Sequence, residues 1–216
     1  MTDLAKELFA FLSSAVPQAL AMTKDILFSM AALSGAIVAW HGLHTWKRQL
    51  HGATEYELAR RYLRAAYRLR DEFGRFRNPF MSGDEIATAI AEAQVDAPPE
   101  SEMAHRAAYV HRWNRVADAA SGLRLESLEA EVLWGQAARN ATRSLEKCAS
   151  TLNSALTMHL MDRSDRPGDG IGSAARARVR KVIYPESSDP QKDDYSRSVK
   201  EAIAKVEELA RPYLRR

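Results

Sequence analysis

The sequence predicts an all-α protein: one N-terminal transmembrane helix followed by an antiparallel bundle of long helices. Three observations carry this. Residues 26–46 hold no charged side chain, between Lys24-Asp25 and Lys47-Arg48. Beyond them apolar residues recur every three or four positions, the period of a helix face. No stretch alternates apolar and polar residues as a half-buried strand would.

The chain has 216 residues, 46% hydrophobic and 27% charged, enough for one ordinary domain and an anchor. Its mean hydropathy of -0.38 is that of a water-facing chain, so membrane-seeking character must be concentrated in one place. The only cysteine is Cys148, which excludes an intramolecular disulfide and suits a reducing compartment.

Residues 1–25 read as a short extracytoplasmic N-terminus. Leu4, Leu8, Phe11 and Ala15 fall at helical spacing, as in a helix lying on the outer membrane interface. The transmembrane helix is placed at 26–46. Twenty-one residues at 1.5 Å each cover roughly 31 Å, close to the thickness of a hydrocarbon core. Trp40 and Trp46, with Lys47 and Arg48, are the expected interface residues, because indoles and basic side chains favour that boundary. His41, Gly42, His44 and Thr45 dilute the apolar character at this end; the alternative is a core helix of a soluble protein. Ser29, Ala32, Gly35 and Ala39 are small and share one helical face, as close helix packing in lipid requires.

Charge bias sets the direction. Residues 1–25 contain only Lys6 and Lys24, whereas Lys47, Arg48, Arg60, Arg61 and Arg64 follow Trp46. The positive-inside rule then puts the long C-terminal part in the cytoplasm and the N-terminus outside, in the plasma (inner) membrane.

Residues 47–80 form a juxtamembrane basic helix, with nine Lys/Arg against four acids. Ala59, Tyr62, Ala66, Leu69, Phe73, Phe76 and Phe80 make a heptad-like stripe that faces a partner or the rest of the bundle. Pro79 disfavours a helical residue before it, so the helix should end near Asn78. Gly52 is the expected joint with the membrane helix. Anionic lipid could gather at the basic collar, but only within a Debye length of about 8 Å from the surface. Later arginines must face water, acids or a partner.

Residues 81–100 read as a linker holding a short helix, Ile86–Ala93, before Ala97-Pro98-Pro99. The cytosolic bundle occupies 101–216 and is completed by 55–77. Ser101 opens a helix with Met103, Ala107, Val110, Trp113, Val116 and Ala120 on one side, and Ser121-Gly122 should end it. Leu128, Val132, Leu145, Leu152, Leu156 and Leu160 then predict one long helix from Glu126 to Asp162, with Gly135 as its weak point. Arg163–Gly172 is loop-like. Ala174–Tyr184 suits either a short helix or a strand. A last helix carries Val199, Ile203, Val206, Ala210 and Tyr213. The acidic 81–170 region, fourteen acids against nine bases, complements the basic collar.

The strings Trp46-Lys-Arg-Gln-Leu, Glu55-Tyr-Glu-Leu-Ala-Arg60, Tyr67-Arg-Leu-Arg-Asp71, Arg77-Asn-Pro-Phe80, Leu133-Trp-Gly135 and Arg211-Pro-Tyr213 give the chain a family likeness. It resembles uncharacterised bacterial single-pass membrane-anchored helical proteins. That resemblance implies the same topology and supplies no activity.

No catalytic, cofactor or metal residues are assigned. His41 and His44 lie one turn apart, but two ligands make a poor site. Glu102-Met-Ala-His105 matches half of a di-iron motif that needs a second copy. Gly168-Asp-Gly-Ile-Gly-Ser173 lacks the lysine of a phosphate loop. The basic run Arg176, Arg178, Arg180, Lys181 has only Tyr184 beside it, so nucleic acid is not an expected partner. The expected function is a membrane-tethered helical scaffold or adaptor that binds protein partners or itself. The alternative is an accessory subunit of a transport or channel assembly; a remoter one is an enzyme with an unrecognised site.

Overall fold

A computed structural model describes the backbone of residues 2–162, 172–187, 189 and 191–215. The side chains of residues 2–23, 25, 26, 29, 45 and 47–51 lie outside that description. The fold is all-α, with six helices and no strand among the described residues. They are α1 (Thr2–Phe76), α2 (Gly83–Ala93), α3 (Glu102–Trp134), α4 (Gln136–Asp162), α5 (Ser173–Ile183) and α6 (Asp194–Leu214). Two compact units divide the chain, Met1–Ala53 and Thr54–Arg216. The boundary falls inside the stretch expected as one juxtamembrane helix, next to Gly52, through which α1 passes as helix.

In the first unit, among the described residues, no helix is long and apolar enough to cross a membrane. The spanning segment expected over Ile26–Trp46 is therefore not supported by the fold. Ser34, Gly35, His41, Gly42 and His44 interrupt the described part of it, and Ile26, Ser29 and Thr45 lie outside the described side chains. The amphipathic positions Leu4, Leu8, Phe11 and Ala15 also lie outside them.

The second unit is a helical bundle, and its pairings follow from side-chain contacts. Along α1, Arg61 meets Glu126 and Glu129, Glu72 meets Arg115, and Phe76 meets Trp113 and Tyr109. Residue numbers rise on α1 as they fall on α3, so the two helices are antiparallel. Tyr67 with Glu207, Phe73 with Tyr195 and Arg77 with Asp193 show the same relation to α6. Glu131–Arg139, Ser127–Thr142 and Arg124–Glu146 step outward evenly from Gly135, which makes α3 and α4 an antiparallel hairpin. Four helices thus surround one core, each antiparallel to its neighbours.

The stripe on α1 supplies the centre of that core. Leu58, Ala59, Tyr62, Ala66, Leu69, Phe73 and Phe76 are all buried, and Phe80, beyond the helix end, is 81% exposed. Tyr62 is the one polar side chain of the stripe and is satisfied. Its hydroxyl donates to the Ala138 carbonyl at 3.2 Å and meets Thr142 Oγ1 at 2.7 Å, and Thr142 donates on to Ser127 at 2.8 Å. Burial pushes the Tyr62 phenol up from its ordinary pKa.

Two expectations for the middle of the chain are corrected. The first concerns where the helices end. α3 continues through Ser121-Gly122, and the break falls at Gly135. Gly135 has φ 68° and ψ -156°, a conformation open in practice only to glycine. Inside α3, Gly122 costs helix propensity of about 1 kcal/mol, which burial of Ala119 and Leu123 on either side offsets.

The second concerns which face of α3 is inward. Ala104, Ala108, Arg112, Val116, Ala119, Leu123, Ser127 and Ala130 are buried, whereas Met103, Val110, Leu128 and Val132 are exposed. Of the expected face, Ala107 and Val116 are buried, and alanines with Tyr109, Val116 and Leu123 make the contact while Met103, Val110, Leu128 and Val132 stay outside.

The remaining helices close the unit. α2 begins at Ser82, whose hydroxyl caps it by accepting from the Glu85 amide at 3.2 Å, and buries Ala89 against Ala107 and Ala108. The region expected as a linker thus carries a packed helix. The segment 174–184 is helical, and α5 buries Val179 and Ile183 in the main core. The loop predicted at Arg163–Gly172 lies, up to residue 171, outside the described residues.

Candidate functional site

Buried charge in the second unit is concentrated around the end of α1, and it is structural. Arg77 follows the last residue of α1 and is 5% exposed. Its guanidinium grips Asp193 with bonds of 2.6 and 3.0 Å and donates to Ser196 at 2.9 Å. It also donates to the carbonyls of Lys181, Val182 and Tyr184, the orphan acceptors at the end of α5. Asp193 in turn caps α6 by accepting from the Ser196 amide at 2.9 Å. Burial alone would raise the Asp193 carboxyl, but its bonds to Arg77 and Ser196 win and hold it well below the usual carboxylate range. One arginine therefore ties three helix ends together.

Arg112 of α3 repeats the device on the next turn. It pairs with Glu85 and donates to the carbonyls of Phe76, Asn78 and Phe80, fixing the Asn78-Pro79-Phe80 turn between α1 and α2. Hydrogen bonding from Arg112 lowers the Glu85 carboxyl against the opposing effect of burial. Neither tie has a local sequence signal, because Arg77 and Asp193 lie 116 residues apart and Arg112 and Glu85 lie 27 apart on different helices. With every guanidinium N–H of Arg77 and Arg112 committed to protein partners, these groups hold the bundle together.

The other candidate groups are likewise dispersed. Cys148 is buried and burial raises its thiol pKa. His105 turns back to the Ser101 carbonyl at 3.0 Å. Among the described residues no cluster of three or more His, Cys, Asp or Glu side chains could hold a metal ion.

Four outer surfaces are open to binding. The first is α1 between Leu27 and Trp46. Leu27, Phe28, Met30, Leu33, Ile37, Val38, Trp40, Leu43 and Trp46 are each between 54% and 71% exposed. The predicted interface residues Trp40 and Trp46 belong to this set, and Lys47 and Arg48 lie outside the described side chains. Of the small-residue face, Ala32, Gly35 and Ala39 are exposed, and a Cβ built on Gly35 would meet nothing within 4 Å. Ser29 lies outside the described side chains.

The second surface is on α3, where Leu125, Leu128 and Val132 share one outer face at 70%, 59% and 83% exposure. The third is the exposed side of α1 in the bundle, where a groove of about 710 Å³ is lined by Arg60, Arg64, Arg68 and Arg115. A separate groove of similar size between α1 and α6 is floored by Phe73, Tyr195, Val199 and Ile203. The stripe predicted to face a partner or the bundle, Ala59, Tyr62, Ala66, Leu69, Phe73 and Phe76, is buried inside the bundle, which leaves these outer faces for partners. The chain matches no protein-family model, no curated protein and no solved structure.

Proposed function

We propose that the chain is a membrane-tethered helical scaffold that binds protein partners or itself. The observation that carries this reading is the apolar sheath between Leu27 and Trp46. At 100° per residue these nine side chains point to every side of α1, so no single groove could cover them. A helix apolar on one face suits a protein groove, whereas one with large apolar residues on every side is a helix that becomes buried, in a membrane or inside a larger assembly. The charge bias after Trp46 orients the tether with the bundle in the cytoplasm.

The test is alkaline carbonate extraction of membranes from cells making the full chain. The protein stays in the membrane pellet, and Ile37→Lys with Val38→Lys releases it. Release of the unsubstituted chain would end the tether reading. The scaffold half rests on Leu125, Leu128 and Val132. Leu128→Glu with Val132→Glu should convert an oligomer or complex, measured by light scattering in detergent, to a monomer. A monomer from the outset, with no complex in detergent extracts, would count against it.

The small-residue face favours a second reading, an accessory subunit of a transport or channel assembly. Because a Cβ at Gly35 meets nothing within the chain, Gly35→Ile reports association alone. Loss of assembly in a membrane-dimerisation assay would support this reading; no change would remove it.

A further inference from the structure

The arginines of α1 fall into two groups. Arg61 reaches Glu126 and Glu129, Arg70 holds Asp71 through bonds of 2.8 and 2.9 Å, and Arg75 donates to Glu72 at 2.8 Å. Arg60, Arg64 and Arg68 are exposed and have no carboxylate among the described residues. They stand one helical turn apart, an arrangement in which like charges destabilise a helix.

The three unpaired guanidiniums line the groove with Arg75 and Arg115, over apolar Leu63 and Leu214. Two acids share the lining, and both are already engaged. Glu72 is buried and held between Arg75 and Arg115 at 2.8 and 3.1 Å, and Asp71 is held by Arg70. Glu72 thus fixes two guanidiniums at the groove without neutralising the other three.

We propose that this groove binds a molecule carrying two or more phosphate groups, its oxygens taken by the guanidinium forks of Arg60, Arg64 and Arg68. Guanidinium planes match phosphate oxygens two at a time. Successive arginines four residues apart, about 6 Å along the helix, suit neighbouring phosphates better than they suit a single carboxylate. A nucleic-acid strand would need stacking surfaces as well. Tyr67 is the one aromatic in the lining; Arg70 covers its ring at 4.8 Å and Glu207 holds its hydroxyl at 2.8 Å. The ligand is therefore recognised through its phosphates, either free in solution or on a lipid headgroup.

The full chain in neutral detergent micelles provides the test. Isothermal titration with inorganic pyrophosphate should show binding that weakens with salt. Affinity should fall by about tenfold or more in Arg64→Gln with Arg68→Gln, and again in Arg60→Gln as an independent variant, as loss of charge-assisted hydrogen bonds requires. Arg124→Gln, which removes an exposed partner of Glu146 on α3, should leave binding unchanged. In a parallel arm the micelles are doped with cardiolipin or with phosphatidylcholine. Thermal stabilisation by cardiolipin alone, lost in the double variant, assigns the phosphates to a lipid headgroup; a pyrophosphate response without it assigns them to a soluble ligand. If neither probe binds, or if binding survives undiminished in these variants, the proposal is overturned.

Discussion

Within α1 the same kinds of side chain meet opposite surroundings. Between Leu27 and Trp46 every large apolar residue described is more than half exposed, whereas Leu58, Tyr62, Leu69, Phe73 and Phe76 are at most 2% exposed. The difference lies in arrangement more than in hydrophobicity. The later stretch keeps its apolar residues on one stripe and fills the other faces with arginine, so a protein core can cover it. The earlier stretch distributes them all round and carries no charge, so no single stripe gathers them. The two patterns on one helix therefore differ in what could bury them.

That contrast has measurable consequences. The largest expected effect is at the join of the core. Arg77→Ala leaves the Asp193 carboxylate buried without its guanidinium and should cost about 3–5 kcal/mol in chemical unfolding of the detergent-solubilised chain. The pH dependence follows from the depressed Asp193 carboxyl. The unfolded chain takes up this proton first, at about pH 3.9, so the stabilisation is complete above that value. It is lost as pH falls further, and the loss should be smaller in Arg77→Ala, which leaves Asp193 only its bonds to Ser196 and the Glu186 amide.

Next comes the direct contrast along α1. Leu69→Ala removes a fully buried side chain and should cost about 2–5 kcal/mol. Ile37→Ala, at 54% exposure, should change unfolding of the bundle by less than about 0.5 kcal/mol while weakening membrane retention. Equal costs at the two positions would mean that the Leu27–Trp46 stretch is covered by protein after all. A smaller effect is expected at the α3–α4 hairpin. Gly135→Ala places a side chain at φ 68° and should cost about 1–3 kcal/mol, though its Cβ meets nothing. The smallest is Ser101→Ala, which removes the 3.1 Å bond from the Ala104 amide and should lower stability by about 1 kcal/mol.

The legibility of the chain varied from helix to helix. Tyr62, Phe73 and Phe76 could be assigned to a buried stripe because α1 contrasts large apolar residues with arginines. Pro79 marked the end of that helix through sterics that act between neighbours. α3 resisted the same reasoning. Its inner face mixes Ala104, Ala107, Ala108, Ala119 and Ala130 with Tyr109, Arg112, Val116, Leu123 and Ser127, while Leu125, Leu128 and Val132 stand outside. A search for large apolar residues at helical spacing therefore finds Val116 but also selects Met103, Val110, Leu128 and Val132, which are exposed. Of the candidate binding surfaces, the apolar run and the arginine-rich face were visible as strings. Which arginines lacked a carboxylate was not.

What the sequence determined by itself was local: the helical class, the core stripe of α1, the caps at Ser82 and Ser101, and the charge-free run from Ile26 to Trp46. Each follows from periodicity, backbone sterics or a hydrogen bond spanning a few residues. Only the tertiary structure decided that the hairpin turns at Gly135 rather than Gly122. It also decided that Leu123 faces inward on α3 while Leu125 and Leu128 face out, and that Arg77 and Arg112 are buried while Arg60, Arg64 and Arg68 have no carboxylate partner among the described residues. Those outcomes depend on how closely two helices approach and on which carboxylate comes within reach. Residues on different helices, up to 116 positions apart for Arg77 and Asp193, settle such questions, and no local pattern encodes them.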